Sequence, residues 1–358
     1  MQARFTSSIR RANLLNGRYH VMSDGIAQLR AEMARQHVDA LASLEAAQDL
    51  AGGIADTLRT RGRLALIGMG GSHWVNRAAC PHYVGAGLDA TAHVASEYLR
   101  APLPGPLAML VTSQSGNSGE ILRLFDGRLV SDAAWGLTLT PEGGLARALP
   151  CLVGAGGPEK AYAATRSLLV TLAQHAAILD ALGEDMTKAL TALAEPAAVD
   201  TAEREAAIEH LAARRVAVMV ARGGDQGVMD AAALCLMEIA RIPVLGLEAG
   251  QFRHGPFEMI DGDTAVVFLR GQGAAEDDIA PLARETVSHG ITPVVFDASG
   301  GTAISDTLTV TLPPARGMAL ALAALPVIQD ILVYAAAKML PDAGVPRRST
   351  KVTSGEAA

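Results

Sequence analysis

The spacing of apolar positions changes character after the first sixty or so residues. From about Met22 to Leu58, apolar residues and alanines recur at helical spacing, which predicts one or two helices leading into a first core. Beyond them, short apolar or β-branched runs alternate with longer helical stretches. "LALIG" (Leu64 to Gly68), "AMLVTS" (Ala108 to Ser113) and "WGLTLT" (Trp135 to Thr140) predict strands of a parallel sheet with helices on both faces. The pattern then repeats in "VAVMVA" (Val216 to Ala221), "TAVVFLRG" (Thr264 to Gly271), "TPVVFDAS" (Thr292 to Ser299) and "TLTVTLPP" (Thr307 to Pro314). Two echoes accompany it. "RLALIGMGGS" from Arg63 matches "RVAVMVARGG" from Arg215 at an offset of 152, and "ASEYLRAP" from Ala95 matches "AGQFRHGP" from Ala249 at an offset of 154. Nearly equal offsets predict a duplicated unit. The expected fold is α/β, with two tandem doubly wound parallel-sheet domains and flanking helices. Its parts are N-terminal helices over 1–58, a first domain over 59–183, a connecting helix over 184–210, a second domain over 211–340 and a C-terminal tail over 341–358.

Length and composition fit this reading: 358 residues, half of them hydrophobic, allow two cores. A net charge of −7 without any Lys/Arg block argues against nucleic acid or an anionic membrane as partner, and leaves a small metabolite or another protein. Cys80, Cys151 and Cys235 are widely spaced and predict neither a disulfide framework nor a zinc site. The first twenty residues lack the apolar centre of a signal peptide. The run Met318 to Leu340 carries Pro326, Gln329 and Asp330, as a buried helix does more often than a membrane span. The cytoplasm is the expected location.

One junction invites chemistry. "TSQSGNSGE" (Thr112 to Glu120) follows a predicted strand and precedes a predicted helix, where ligands gather in an open parallel sheet. Asn117 and Glu120 have capping-box spacing, so the turn is expected over Ser113 to Ser118 and the helix from Ile121. Hydroxyls at a helix start form a neutral cradle for a phosphate, although a plain Ser/Gly connector with a good cap would read similarly. The Gly-Lys-Ser/Thr ending of a nucleotide P-loop is absent. In "GMGGSH" (Gly68 to His73) a histidine stands where a dinucleotide fingerprint has its third glycine, which leaves a nicotinamide cofactor a minor alternative.

With further segments in the same order, this loop resembles the sugar isomerase (SIS) family over roughly residues 60 to 353. "GMGGS" resembles its first glycine turn, "ASEYLR" its A-S-E-aromatic element and "EKAYAATR" (Glu159 to Arg166) a backbone-contact segment. "MEIAR" (Met237 to Arg241) resembles the helix with the catalytic glutamate, "FRHGPFEMID" (Phe252 to Asp261) the histidine loop, and "STKVT" (Ser349 to Thr353) the lysine tail. The likeness is strongest to the isomerase half of the glutamine:fructose-6-phosphate amidotransferases, and it implies flavodoxin-like SIS domains. It implies a phosphate held by Ser113, Gln114, Ser115 and Ser118, and a sugar lined by Gly70, Ser72, Ala163 and Ala164. It also implies catalysis by Glu238, His254 and Lys351, the last able to form an imine with a ketose. In the family the histidine loop reaches a neighbouring subunit, so a homodimer with His254 crossing the interface is implied.

Departures narrow the activity. About 60 residues precede the first sheet, too few for a glutamine-hydrolysing domain, so the chain is expected to lack its own ammonia source. Cys235 stands where the amidotransferases carry a lysine, Gln251 replaces a glutamate, and Gly71 replaces the usual hydroxyl of the first turn. The expectation is an enzyme that opens an amino-hexose 6-phosphate, moves its carbonyl between C1 and C2 and releases the amine. The alternatives are a fructosamine-6-phosphate deglycase, a plain aldose-ketose isomerase of a hexose 6-phosphate, and a non-catalytic sugar-phosphate-binding regulator. Glu238, on the otherwise apolar helix "ALCLMEIARI", would be desolvated and so tuned to shuttle a proton, unless it merely pairs with Arg241 at i+3. His254 suits ring opening, since it titrates near neutrality. No histidine spacing indicates a metal, and neither metal nor cofactor is expected.

Overall fold

The structure is a computed structural model that describes residues 23–353; the polar N-terminal stretch and the end of the tail lie outside the described residues. Five parallel strands, Arg63–Gly68 (β1), Asp89–Val94 (β2), Ala108–Thr112 (β3), Ala134–Thr138 (β4) and Cys151–Val153 (β5), pair in the order β2-β1-β3-β4-β5. Val216–Ala221 (β6), Val244–Glu248 (β7), Thr264–Arg270 (β8), Val294–Asp297 (β9) and Leu308–Thr311 (β10) repeat it as β7-β6-β8-β9-β10, again all parallel. The two sheets thus have one topology, as the sequence echoes imply. β2, β5 and β7, which the apolar pattern does not predict, are all edge strands with partly exposed residues.

The strands alternate sides in the way a doubly covered sheet requires. Leu64, Leu66 and Leu110 of the first sheet, and Met219, Val267 and Phe296 of the second, face one shared core. Ala65, Ile67, Met109 and Val111 face a separate outer core, and Val218, Val220, Val266 and Phe268 face another. Helices fill the shared core between the sheets. At its centre the helix Gly71–Gly85, which follows β1, packs on Gly223–Ala240, its counterpart after β6. Their approach is close enough that a Cβ on Gly227 would stand 2.4 Å from the Ala78 amide nitrogen. Gly317–Met339 is long and apolar enough to cross a membrane by length and composition, but 83% of its apolar window is buried.

The N-terminal pair of helices, Asp24–Met33 and Gln36–Arg61, braces the first domain through one fully buried cation. The Arg166 guanidinium donates to Glu32 (2.7 Å) and Asp39 (3.0 Å) and to the carbonyl of Gly157 (2.9 Å). Glu32 also accepts from the Lys160 amide at 2.7 Å. Removing one partner from such a cluster leaves an uncompensated charge and costs about 3–5 kcal/mol. The segment between Gly157 and Arg166 is thereby held from below. The connector folds as Thr187–Ala194 and Thr201–Ala212, with Pro196 in the break between them.

Candidate active site

The order β2-β1-β3-β4-β5 reverses direction between β1 and β3, and a crevice opens where the chain leaves neighbouring strands on opposite sides. Gly68 of β1 lies beside Thr112 of β3, so Met69–Ser72 and Ser113–Ser118 emerge next to each other. They line a cleft of about 400 Å3. From the second domain, the helix Gly223–Ala240 brings Leu234 and Glu238 to its wall; the tail brings Ser349 to Lys351 and Thr353.

The loop after β3 is held open by its own side chains. Ser113 Oγ accepts from the Gly116 amide and Ser115 Oγ from the Asn117 amide, each at 3.2 Å. Gly116 takes φ +65°, and a Cβ there would meet Gly143 Cα at 3.2 Å, so glycine is needed for both conformation and space. The helix runs Gly119–Asp126, two residues earlier than the capping-box reading places it. Asn117 is not its cap. The Asn117 Oδ1 accepts instead from the Gly144 amide at 2.9 Å and ties the loop to the next one, which leaves Ser118 as N-cap with no side-chain bond to the helix. An uncapped helix start ringed by Ser113, Gln114, Ser115 and Ser118, all on the cleft wall, offers an anion N–H groups and hydroxyls together. The Gly119 amide meets the Thr353 carbonyl of the tail at 3.0 Å.

Across the cleft, burial pushes the Glu238 carboxyl up to about 7; the Lys351 ammonium opposes this and the Glu159 carboxylate adds to it. Pairing with Arg241 is not its role, because Arg241 is engaged with Asp342. Lys351 Nζ donates to Glu159 Oε2 at 3.1 Å. Burial pushes Glu159 up, but Lys351 and the bonds from Ser167 and Thr165 outweigh it and hold the carboxyl below its ordinary value. Among the described residues that line the cleft, the acidic side chains are Glu120 and Glu238 and the basic one is Lys351.

Gly70, Ser72, Ser113, Gln114, Ser115, Ser118, Ala164, Glu238 and Lys351 therefore converge on one cleft. Ala163 does not: its side chain is wholly buried in the shared core, because neighbouring residues of this segment alternate between cleft and core. His254 also lies apart. It is exposed at the end of the short helix Ala249–Arg253 and is not on the cleft wall of its own chain. Cys235 is buried and off the wall. Thr112, Glu120, Tyr162, Ser167 and Thr171, to which the sequence reading assigned no ligand role, also line the wall, with the Tyr162 hydroxyl bonded to Ser349 of the tail.

Comparison with known proteins agrees with this fold. A SIS domain matches residues 210–336. The glutamine–fructose-6-phosphate aminotransferase (isomerizing) of Staphylococcus aureus (strain Mu50) is 30% identical over 295 residues, covering 76% of this chain and 47% of that protein. The chain contains a SIS domain. It spans about half the length of the curated relatives it matches. Among solved structures, this SIS fold is shared with the C-terminal domain of glucosamine-fructose-6-phosphate aminotransferase from Francisella tularensis (TM-score 0.74, 16% identity, 87% of this chain and 96% of that one). Tagatose-6-phosphate ketose/aldose isomerase from Escherichia coli has the same TM-score of 0.74 at 18% identity, with 89% and 96% covered. Glucosamine-6-phosphate deaminase from Thermotoga maritima gives 0.66 at 18% identity, with 88% and 99% covered.

Proposed function

We propose that this SIS protein is an enzyme acting on an amino-hexose 6-phosphate: it opens the sugar, moves a proton between C2 and C1, and releases the amine. The observation that carries the reading is a half-buried carboxyl, Glu238, raised to about 7 and placed across one cleft from an uncapped, hydroxyl-rich helix start. A carboxyl titrating there can both accept and return a proton near neutral pH. With the phosphate on Ser113, Gln114, Ser115 and Ser118, the sugar carbons extend toward Glu238 and Lys351.

In the open aldehyde form, Glu238 takes the proton from C2, the electron pair forms a C1–C2 enolamine, and the C1 oxygen takes up a proton from water. The same carboxyl returns its proton to C1 while the nitrogen gives up a proton to water, leaving an imine at C2 and a hydroxyl at C1. Water adds to that imine and the amine departs, so amino-aldose phosphate plus water yields ketose phosphate plus amine. We further read residues 59–183 and 211–340 as the two SIS domains, and a homodimer as the working form, in which a second copy supplies His254 for ring opening. The exposure of His254 outside its own cleft supports this.

The test is incubation with glucosamine, galactosamine, fructosamine and plain hexose 6-phosphates, scored for hexose phosphate, released amine and exchange of carbon-bound hydrogen with deuterium oxide. Amine release with at least one amino-hexose phosphate is expected. Exchange without amine release would favour the plain isomerase, and binding without exchange the regulator.

A further inference from the structure

Glu159 lies outside the cleft wall and is one of the most buried carboxylates described, at 4% exposure. We propose that it is the positioning residue of the site: it fixes the Lys351 ammonium beside Glu238 and thereby sets the pH range over which Glu238 works as a base. The inference rests on the reading of Glu238 as base.

The geometry is specific. Glu159 Oε1 accepts from the Thr165 amide (2.9 Å) and the Thr165 hydroxyl (3.0 Å), and Oε2 accepts from the Ser167 hydroxyl at 2.6 Å. These partners sit at the start of the helix Arg166–Ala181, whose Arg166 is clamped to Glu32 and Asp39. The carboxylate therefore cannot swing. Oε1 also accepts from the Ser167 amide at 3.4 Å, and the other contact of Oε2 is Lys351 Nζ at 3.1 Å. Beyond Val345 the tail's described hydrogen bonds to the rest of the chain are those of Ser349 with Tyr162 and of the Thr353 carbonyl with Gly119, besides Lys351 itself. A charge-assisted bond from a rigid, desolvated acceptor defines where a flexible ammonium sits.

The groups that face this pair are few. Glu238 and Cys235 come from the helix Gly223–Ala240, while Glu120, at the start of Gly119–Asp126, lines the same cleft as Lys351 and Glu238. The Cys235 thiol is pushed up by burial and stays neutral. Glu238 thus experiences a fixed anion and a fixed cation at once. Without the Glu159 charge, the anion that favours the protonated Glu238 disappears, and Lys351 is released toward the carboxylates that remain. Both effects favour ionised Glu238.

The test compares wild type, Glu159→Gln and Glu159→Asp in two measurements. In the first, the pH dependence of carbon-hydrogen exchange should show its acid limb displaced downward by about one pH unit in Glu159→Gln. Turnover should fall roughly ten- to a hundredfold, as expected for a displaced catalytic group. Glu159→Asp keeps the charge, so its acid limb should stay at the wild-type position. In the second, acetic anhydride is applied without substrate and Lys351 acetylation is followed by mass spectrometry; the Gln variant should react several-fold faster than wild type. A Gln variant that loses thermal stability but keeps the wild-type limb and the wild-type acetylation rate overturns the proposal, as does a shifted limb in Glu159→Asp. Should the Gln variant fail to fold, the limb of the Asp variant decides. Absence of exchange in wild type with every sugar phosphate would refute the role of Glu238, while acetylation still tests the placement of Lys351.

Discussion

If burial holds Glu238 near 7, the folded protein gives up stability to keep it ionised, and Glu238→Gln should recover it. The ordinary carboxyl value is 4.5 and the folded one about 7. At about 1.4 kcal/mol per pH unit, a gap of two and a half units corresponds to about 3 kcal/mol. The sign follows from proton binding. Between pH 4.5 and 7 the folded state holds this proton more tightly than the unfolded state, so stability falls as pH rises through that window. Above 7 the full cost is present; at 4.5 and below it is absent. Glutamine has nearly the same shape and never ionises. Urea unfolding of both proteins should therefore give near-coincident curves at pH 4 and a more stable Glu238→Gln at pH 8, by about 3 kcal/mol. The same variant should be the less active one, as when an active site trades stability for function. A difference in stability that is the same at both pH values would refute the reasoning, and so would a less stable variant at pH 8.

Two further outcomes probe the loop. Ser115→Ala should raise the Michaelis constant for the phosphorylated sugar, leave the unphosphorylated sugar unaffected, and change turnover little, because the loop binds rather than reacts; unchanged affinity for both would remove the phosphate assignment. Gly116→Ala, which forces a side chain into φ +65° against Gly143, should cost about 1–2 kcal/mol in denaturant unfolding and weaken phosphate-dependent binding. A variant as stable as wild type would show that the turn adjusts freely.

How much of this was legible in the sequence depended on burial. The strands that the pattern predicts include the central ones, such as β3 and β8, whose residues are buried throughout and so read as continuous apolar runs. β2, β5 and β7 lie at sheet edges; "DATAHV" carries polar residues facing solvent, and "CLV" is too short to show any period. The cleft residues adjoining strand ends were found because local chemistry and the family motifs coincide there. Glu159 was visible only as part of a contact segment. Its partnership with Lys351 spans 192 residues and depends on the fold of the tail. The helix start was misplaced because Asn117 has the residue type of a cap but spends its side chain on Gly144, a contact that spacing cannot reveal. Ala163 and Ala164 are indistinguishable as letters; only the backbone decides that Ala164 faces the cleft and Ala163 the core.

The central claim is that Glu238 moves a proton between two carbons of a phosphosugar, and hydrogen exchange tests it most directly. Wild type and Glu238→Gln are incubated in deuterium oxide with the amino-hexose 6-phosphate that wild type turns over, and carbon-bound deuterium is followed by NMR. Wild type should incorporate deuterium at the shuttled carbon, and Glu238→Gln should do so at least about a hundredfold more slowly while retaining affinity for the sugar phosphate. Exchange at the wild-type rate in Glu238→Gln would contradict the account.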